Sequence, residues 1–122
     1  MNLFTDEQAD KLRENGSPEN RDKDHCPVVK LFLPGTRCTW LLTELDPEDE
    51  NRAFGLCDLG LGFPELGYVD LHELITLQFA YQVTNDLNFI GEYPISVYAR
   101  AARREQAITV NRQHLQQALK PS

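Results

Sequence analysis

Thr39-Trp40-Leu41-Leu42-Thr43-Glu44-Leu45 and the later run Arg52-Ala53-Phe54-Gly55-Leu56-Cys57-Asp58-Leu59 decide the fold. Both are rich in large apolar and aromatic residues, and the polar stretch Asp46-Pro47-Glu48-Asp49-Glu50-Asn51 separates them as a loop. That pattern predicts two antiparallel strands. Upstream, Val28-Val29-Lys30-Leu31-Phe32-Leu33 is closed by Pro34-Gly35, which makes it a strand and the first half of a hairpin. Downstream, Glu65-Leu66-Gly67-Tyr68-Val69 is expected to add a short fourth strand.

Helices flank these strands. Thr5-Asp6-Glu7-Gln8 matches a capping box and opens a helix over about residues 5–14, with Asn15-Gly16 expected as its left-handed exit. Asp70-Leu71-His72-Glu73 repeats the capping pattern and predicts a helix to about Tyr81 that buries Leu71, Leu74, Ile75 and Phe79. Leu87-Asn88-Phe89-Ile90 reads as a short edge strand. Pro94 suits the first turn of a third helix over 95–104, and Asn111–Leu119 is a fourth helical candidate. The expectation is an α+β fold, a small antiparallel sheet of three to five strands with three to four helices packed on one side. Residues 1–104 are expected to form one domain and 105–122 a C-terminal helical extension.

The composition bounds the function. The 122 residues carry 19 acids and 12 Lys or Arg, a net charge of −7. That balance repels nucleic-acid phosphates over the surface as a whole. No apolar run approaches the ~20 residues of a membrane span. With no basic, apolar leader at Met1 and three cysteines (Cys26, Cys38 and Cys57), a cytoplasmic setting with free thiols is expected. The thiols are read as small core hydrophobes; they form no Cys-x-x-Cys pair, so neither a metal nor a cofactor is expected.

Four of the seven glycines fall between Gly55 and Gly67. Gly60-Leu61-Gly62 lacks the following helix of a phosphate loop, and Pro64 removes an amide, so the glycines are read as turn residues. Asp58 and Glu65 could face each other across this turn, as paired carboxylates do in acid–base or ligand sites. Strand alternation places Cys57 and Asp58 on opposite faces, and nothing cationic adjoins that thiol.

Trp40–Pro47, Ala53–Gly60 and Gly62–Val69, together with Pro27–Phe32, resemble an uncharacterised bacterial domain-of-unknown-function family that recurs on conjugative plasmids and other mobile elements. The resemblance covers about residues 3–104. It implies a mobile-element setting, in which small proteins modulate host defences, transfer or copy number, and it carries no catalytic positions.

Glu44, Asp46, Glu48, Asp49 and Glu50 place five carboxylates in seven positions without the ligand alternation of a calcium loop. As an exposed cluster they could meet a protein partner or imitate DNA phosphates. Residues 1–70 hold 15 acids and 7 bases, a balance of −8, whereas 71–122 hold 4 acids and 5 bases, or +1. Arg100, Arg103, Arg104 and Arg112 in the second part are candidate nucleic-acid contacts, or partners for helix ends and for the acidic half, within one chain or across a homodimer. Trp40 and Tyr68 are expected to anchor the core, and Tyr68, beside a glycine turn, can also line a binding face. The leading expectation is a non-enzymatic interaction protein that presents the acidic loop and the glycine-rich turn to a protein partner, in the manner of a counter-defence factor (anti-restriction or anti-CRISPR). A small-ligand binder or hydrolase built on Asp58 and Glu65, and a nucleic-acid accessory protein built on the arginines, are the alternatives.

Overall fold

A computed structural model describes residues 3–120, of which 78–81 are described by their backbone alone, so the expected burial of Phe79 lies outside the described residues. The chain runs α1 (Asp6–Gly16), β1 (Val29–Phe32), β2 (Cys38–Asp46), β3 (Asp49–Leu59), β4 (Glu65–Asp70), α2 (Leu71–Tyr81), β5 (Thr84–Asn85), α3 (Ile95–Glu105) and α4 (Arg112–Gln117). The five strands form one antiparallel sheet in the order β4-β3-β2-β1-β5. The fold is α+β.

The central pair β2–β3 sets the register. Leu41 lies opposite Leu56 and Leu42 opposite Gly55; beyond them Glu44 pairs with Phe54, so Thr43 is an extra residue, a β-bulge. The bulge is held from both sides. Thr43 Oγ1 donates to the Phe54 carbonyl at 3.2 Å, and the buried Asn15 side chain donates to the Thr43 carbonyl at 2.9 Å. Here the end of α1 differs from expectation. Gly16 is the last helical residue rather than a left-handed exit, and Ser17 caps the helix in extended conformation. Glycine stands there because a Cβ would lie 1.8 Å from the Leu45 carbonyl oxygen. The capping box at Thr5 forms as expected.

Helices cover both faces of the sheet, which corrects the one-sided packing. One core gathers Leu3, Leu12, Val29, Leu31, Trp40, Leu42, Leu45, Ala53, Leu71 and Leu74 beneath α1 and α2. The other gathers Leu41 and Leu56 with Ile95, Tyr98, Ala99, Ala102, Leu115 and Ala118 of α3 and α4. Neighbours in β2 thus belong to different cores, as pleated alternation requires. The segment after residue 104 is tied into the second core: Arg100 Nε donates to the Ala118 carbonyl at 2.8 Å and Arg104 to that of Gln117 at 2.7 Å.

Three local expectations change. The sheet's last strand is Thr84–Asn85, paired with Leu31 and Phe32, while Leu87 and Ile90 are exposed. Pro94 is the cap residue before α3 rather than within it, and the N-terminus of α3 is finished from elsewhere: Asp24 accepts from Ser96 N at 3.1 Å and from the Ser96 hydroxyl. Of the cysteines, Cys38 and Cys57 pack at the edge of the first core but Cys26 is exposed, since it sits in the loop that carries Asp24 to α3.

Candidate functional site

The expected acidic loop is a two-residue turn. β2 continues to Asp46 and β3 begins at Asp49, so only Pro47 and Glu48 connect them. Asp46 Oδ1 accepts from Glu48 N at 2.9 Å and closes the turn. Its five carboxylates do not form one acidic face. Glu50 is 3.2 Å from Arg13 of α1, on the α1 side of the sheet. Asp46 is buried and lies 3.7 Å from Arg52, while Glu44 is buried with 7% exposure. Glu48 and Asp49 remain at the exposed tip.

Asp58 and Glu65 are also separated. Glu65 pairs with Cys57 across β3–β4, and Asp58 is the next residue, facing the other side. Asp58 has 2% exposure and accepts from Gly60 N at 2.8 Å and from Ile108 N at 2.9 Å. It closes the glycine turn and ties the α3–α4 connection to β3. Gly60 and Gly62 have φ of 80° and 87°, the left-handed region that glycine enters freely. Burial alone pushes the Cys57 thiol up to about 11, away from thiolate chemistry. Among the described residues no three His, Cys, Asp or Glu side chains gather into a metal site.

The arginines serve α4 and its surroundings. Arg100 and Arg104, one turn apart on α3, both reach carbonyls at the end of α4, and Arg104 also donates to Lys120 O at 3.1 Å. Arg112 pairs with Glu92 at 3.1 Å. Arg103 lies exposed beside the β3–β4 turn.

The structure instead assembles a different set on the α3 face of the sheet, where the helices stop short of β4. Alternation from the pairs Phe54–Tyr68 and Leu56–Leu66 places these four side chains on that face. The Phe54 and Tyr68 rings meet edge to face at 5.3 Å. The Arg52 guanidinium stands 4.3 Å over the Tyr68 ring, and Arg21, from the loop after α1, lies beside the Tyr68 hydroxyl. Glu44 shares the face as the cross-strand partner of Phe54. Burial raises its carboxyl above the ordinary range, opposed by the nearby His25, a hydrogen bond from Thr43 and the charge of Arg21. Of the residues read from the sequence, Glu44, Asp46 and Tyr68 meet here. Arg21, His25, Arg52 and Phe54 complete the group and were not anticipated.

From Tyr68 the face continues into an apolar tip. Leu61, Phe63, Leu66 and Tyr68 are all exposed, Leu61 and Phe63 at 74% and 78%, so Tyr68 does not anchor a core. A cleft of about 550 Å³ opens between this tip and α3.

The sequence profile of a family described as a protein of unknown function, DUF2958, matches residues 3–109. The chain belongs to this family. The matched span of DUF2958 takes in the whole sheet, α1–α3 and every residue of the Tyr68 group. No curated protein and no solved structure matches the chain.

Proposed function

We propose that the protein is a non-enzymatic interaction module that binds a partner protein through the open half of the α3 face. The observation that carries this reading is the centre of that face, Tyr68 between Arg52 and Phe54, continuous with the exposed Leu66 and Phe63. Tyr, Arg and Phe are the residue types that concentrate binding energy at protein interfaces, because they bring large, rigid contact area together with a polar handle. An apolar run of this kind on a monomer's surface is a marker of docking. The acidic tip, Glu48 and Asp49, lies at the β2–β3 turn, at the Arg52 end of this face, and would contribute orientation and association rate rather than affinity. Resemblance of the glycine-rich centre to a family of plasmids and mobile elements supports a bacterial, cytoplasmic setting with a host defence factor as the partner.

A photo-crosslinking amino acid installed at Tyr68 or at Leu66, with Lys11 of α1 as control, tests the reading in bacterial cells. The expected result is a discrete adduct from positions 66 and 68 that is lost with Arg52→Glu and absent from position 11. Equal labelling from position 11, or no adduct from either face position, would sink the proposal.

A further inference from the structure

The way the partner binds can be taken further, resting on the reading that this face docks a protein. β4 is an edge strand: among the described residues β3 is its only neighbour in the sheet, and none of them pairs with the other side of its backbone. It has six residues, against two for the opposite edge β5. Common protections of an edge are weak on its α3 side, where Leu66 and Tyr68 stand exposed two residues apart. Beside Leu66 lies the cleft of about 550 Å³, with Leu56, Phe63, Leu66 and Ala99 forming its apolar walls and Arg103 and Gln106 on the α3 side. Its one acid, Glu65, pairs with Cys57 and so projects toward the opposite face.

Arg103 gives the cleft its sign. The other three arginines of this region are engaged with α4 carbonyls or with Glu92, whereas Arg103, among the described residues, has neither a hydrogen bond nor an ion pair. An unpaired guanidinium above an apolar cleft fits a carboxylate next to a large apolar side chain. The edge backbone fits an extended chain, whose side chains recur on one face every second residue.

We propose that β4 receives an extended segment of the partner protein as a sixth strand. One large apolar side chain of that segment fills the cleft beside Leu66, a second, two residues away, lies against Tyr68 and Phe54, and a neighbouring Asp, Glu or terminal carboxylate pairs with Arg103. Main-chain pairing along β4 supplies affinity, and the cleft with Arg103 supplies specificity.

A phage-displayed library of random linear peptides, selected on the full-length protein, is the probe. Expected are peptides with two large apolar residues spaced by two and an acid within two positions of one of them. Binding of a selected peptide should slow hydrogen exchange at β4 amides. Arg103→Glu should weaken it at least about tenfold, and selection on that variant should exchange the acid for Lys or Arg. Both Arg103 and Leu66 are exposed, and an unchanged melting temperature for Arg103→Glu and Leu66→Asp confirms that the fold persists. No enrichment, peptides indifferent to Arg103→Glu, or unchanged β4 exchange each overturn the strand-addition mode. So does self-association through β4 with no peptide bound. If adducts at position 68 persist while these results fail, the docking face stands and only this mode is lost.

Discussion

Leu41 and Leu42 are adjacent, equally buried and fully surrounded, yet they serve two cores that end differently. On the Leu42 side, α1 packs on β2 and α2 on β3, and Ala53, Cys57 and Val69 extend that core as far as β4. On the Leu41 side, α3 and α4 cover β2 and the middle of β3 and then stop. Beyond that limit Phe54, Leu66 and Tyr68 are left without a covering helix, and Arg52 and Arg21 stand against Tyr68. One sheet is thus finished as a core on one face and left half open on the other. The position of the proposed site follows from where the covering stops.

Within the sheet, the central strand and the edge strand should differ in their tolerance of one added methyl group. In β3, a Cβ on Gly55 would lie 2.0 Å from the Leu41 carbonyl oxygen, backbone that cannot yield without breaking the central pair. On β4, its cross-strand partner Gly67 has nothing within 4 Å of that position. Gly55→Ala should therefore cost more than about 3 kcal/mol, whereas Gly67→Ala should stay within about 0.5 kcal/mol. Urea denaturation of the two variants checks this, and similar midpoints would contradict the packing described for the two strands.

A second test asks whether the cores are separate. Leu31→Ala opens a cavity in the α1–α2 core and Leu56→Ala one in the other, each at a cost of about 2–4 kcal/mol. The residues sit on strands separated by β2, roughly 10 Å apart with no shared core. Their effects should add to within about 0.5 kcal/mol in the double variant, measured in a background stable enough to hold both. Strong non-additivity would mean that the two cores behave as one.

Strand existence and pairing were legible because short apolar runs broken by Pro and Gly leave few alternatives. The two-sided covering had a signal that was not used. Trp40, Leu41 and Leu42 are consecutive apolar residues, and a strand that buries successive side chains must be covered on both faces. The apolar Leu87 and Ile90 suggested an edge strand, but β1 pairs with the polar Thr84 and Asn85 instead. Asn85 is held there by its side chain, which donates to Leu3 O at 3.1 Å and to Gln8 at 2.7 Å, contacts 82 and 77 residues away in sequence. The site was legible in part for the same reason. Tyr68 and Glu44 could be singled out by type, whereas Arg52 meets Tyr68 through the β3–β4 register and Arg21 through the course of a loop.

Asp58 and Tyr68 sharpen the distinction between a structural and a docking residue. Asp58→Ala removes a buried carboxylate and leaves the partly buried amides of Gly60 and Ile108 without their acceptor. A loss of about 2–3 kcal/mol is expected, with loosening of the α3–α4 connection visible by hydrogen exchange. Tyr68→Ala removes a half-exposed ring and its contact with Arg52, worth about 1 kcal/mol or less to the fold. Its larger effect should be loss of the crosslinked adduct at position 66. If Tyr68→Ala unfolds the protein, or if Asp58→Ala is silent, the two residues have exchanged roles.

Glu44 offers the smallest effect and the finest test. Its folded-state carboxyl is raised, chiefly by burial, so the folded protein binds the proton more tightly than the unfolded chain does. For an acid shifted in this direction, the charged form is a burden on the folded state. The burden is absent below the unfolded value, grows as pH rises toward the folded value, and is complete above it. Glu44→Gln keeps the shape and hydrogen-bonding capacity but carries no charge. It should therefore match the parent protein in acid and gain stability relative to it as pH rises through the carboxylate range, with a constant advantage near neutrality. Paired urea titrations across pH 3.5–7 measure the difference directly. A Gln variant that is less stable than the parent at pH 7 would show that His25 and Arg21 outweigh burial, and that the open face holds Glu44 as a paired anion.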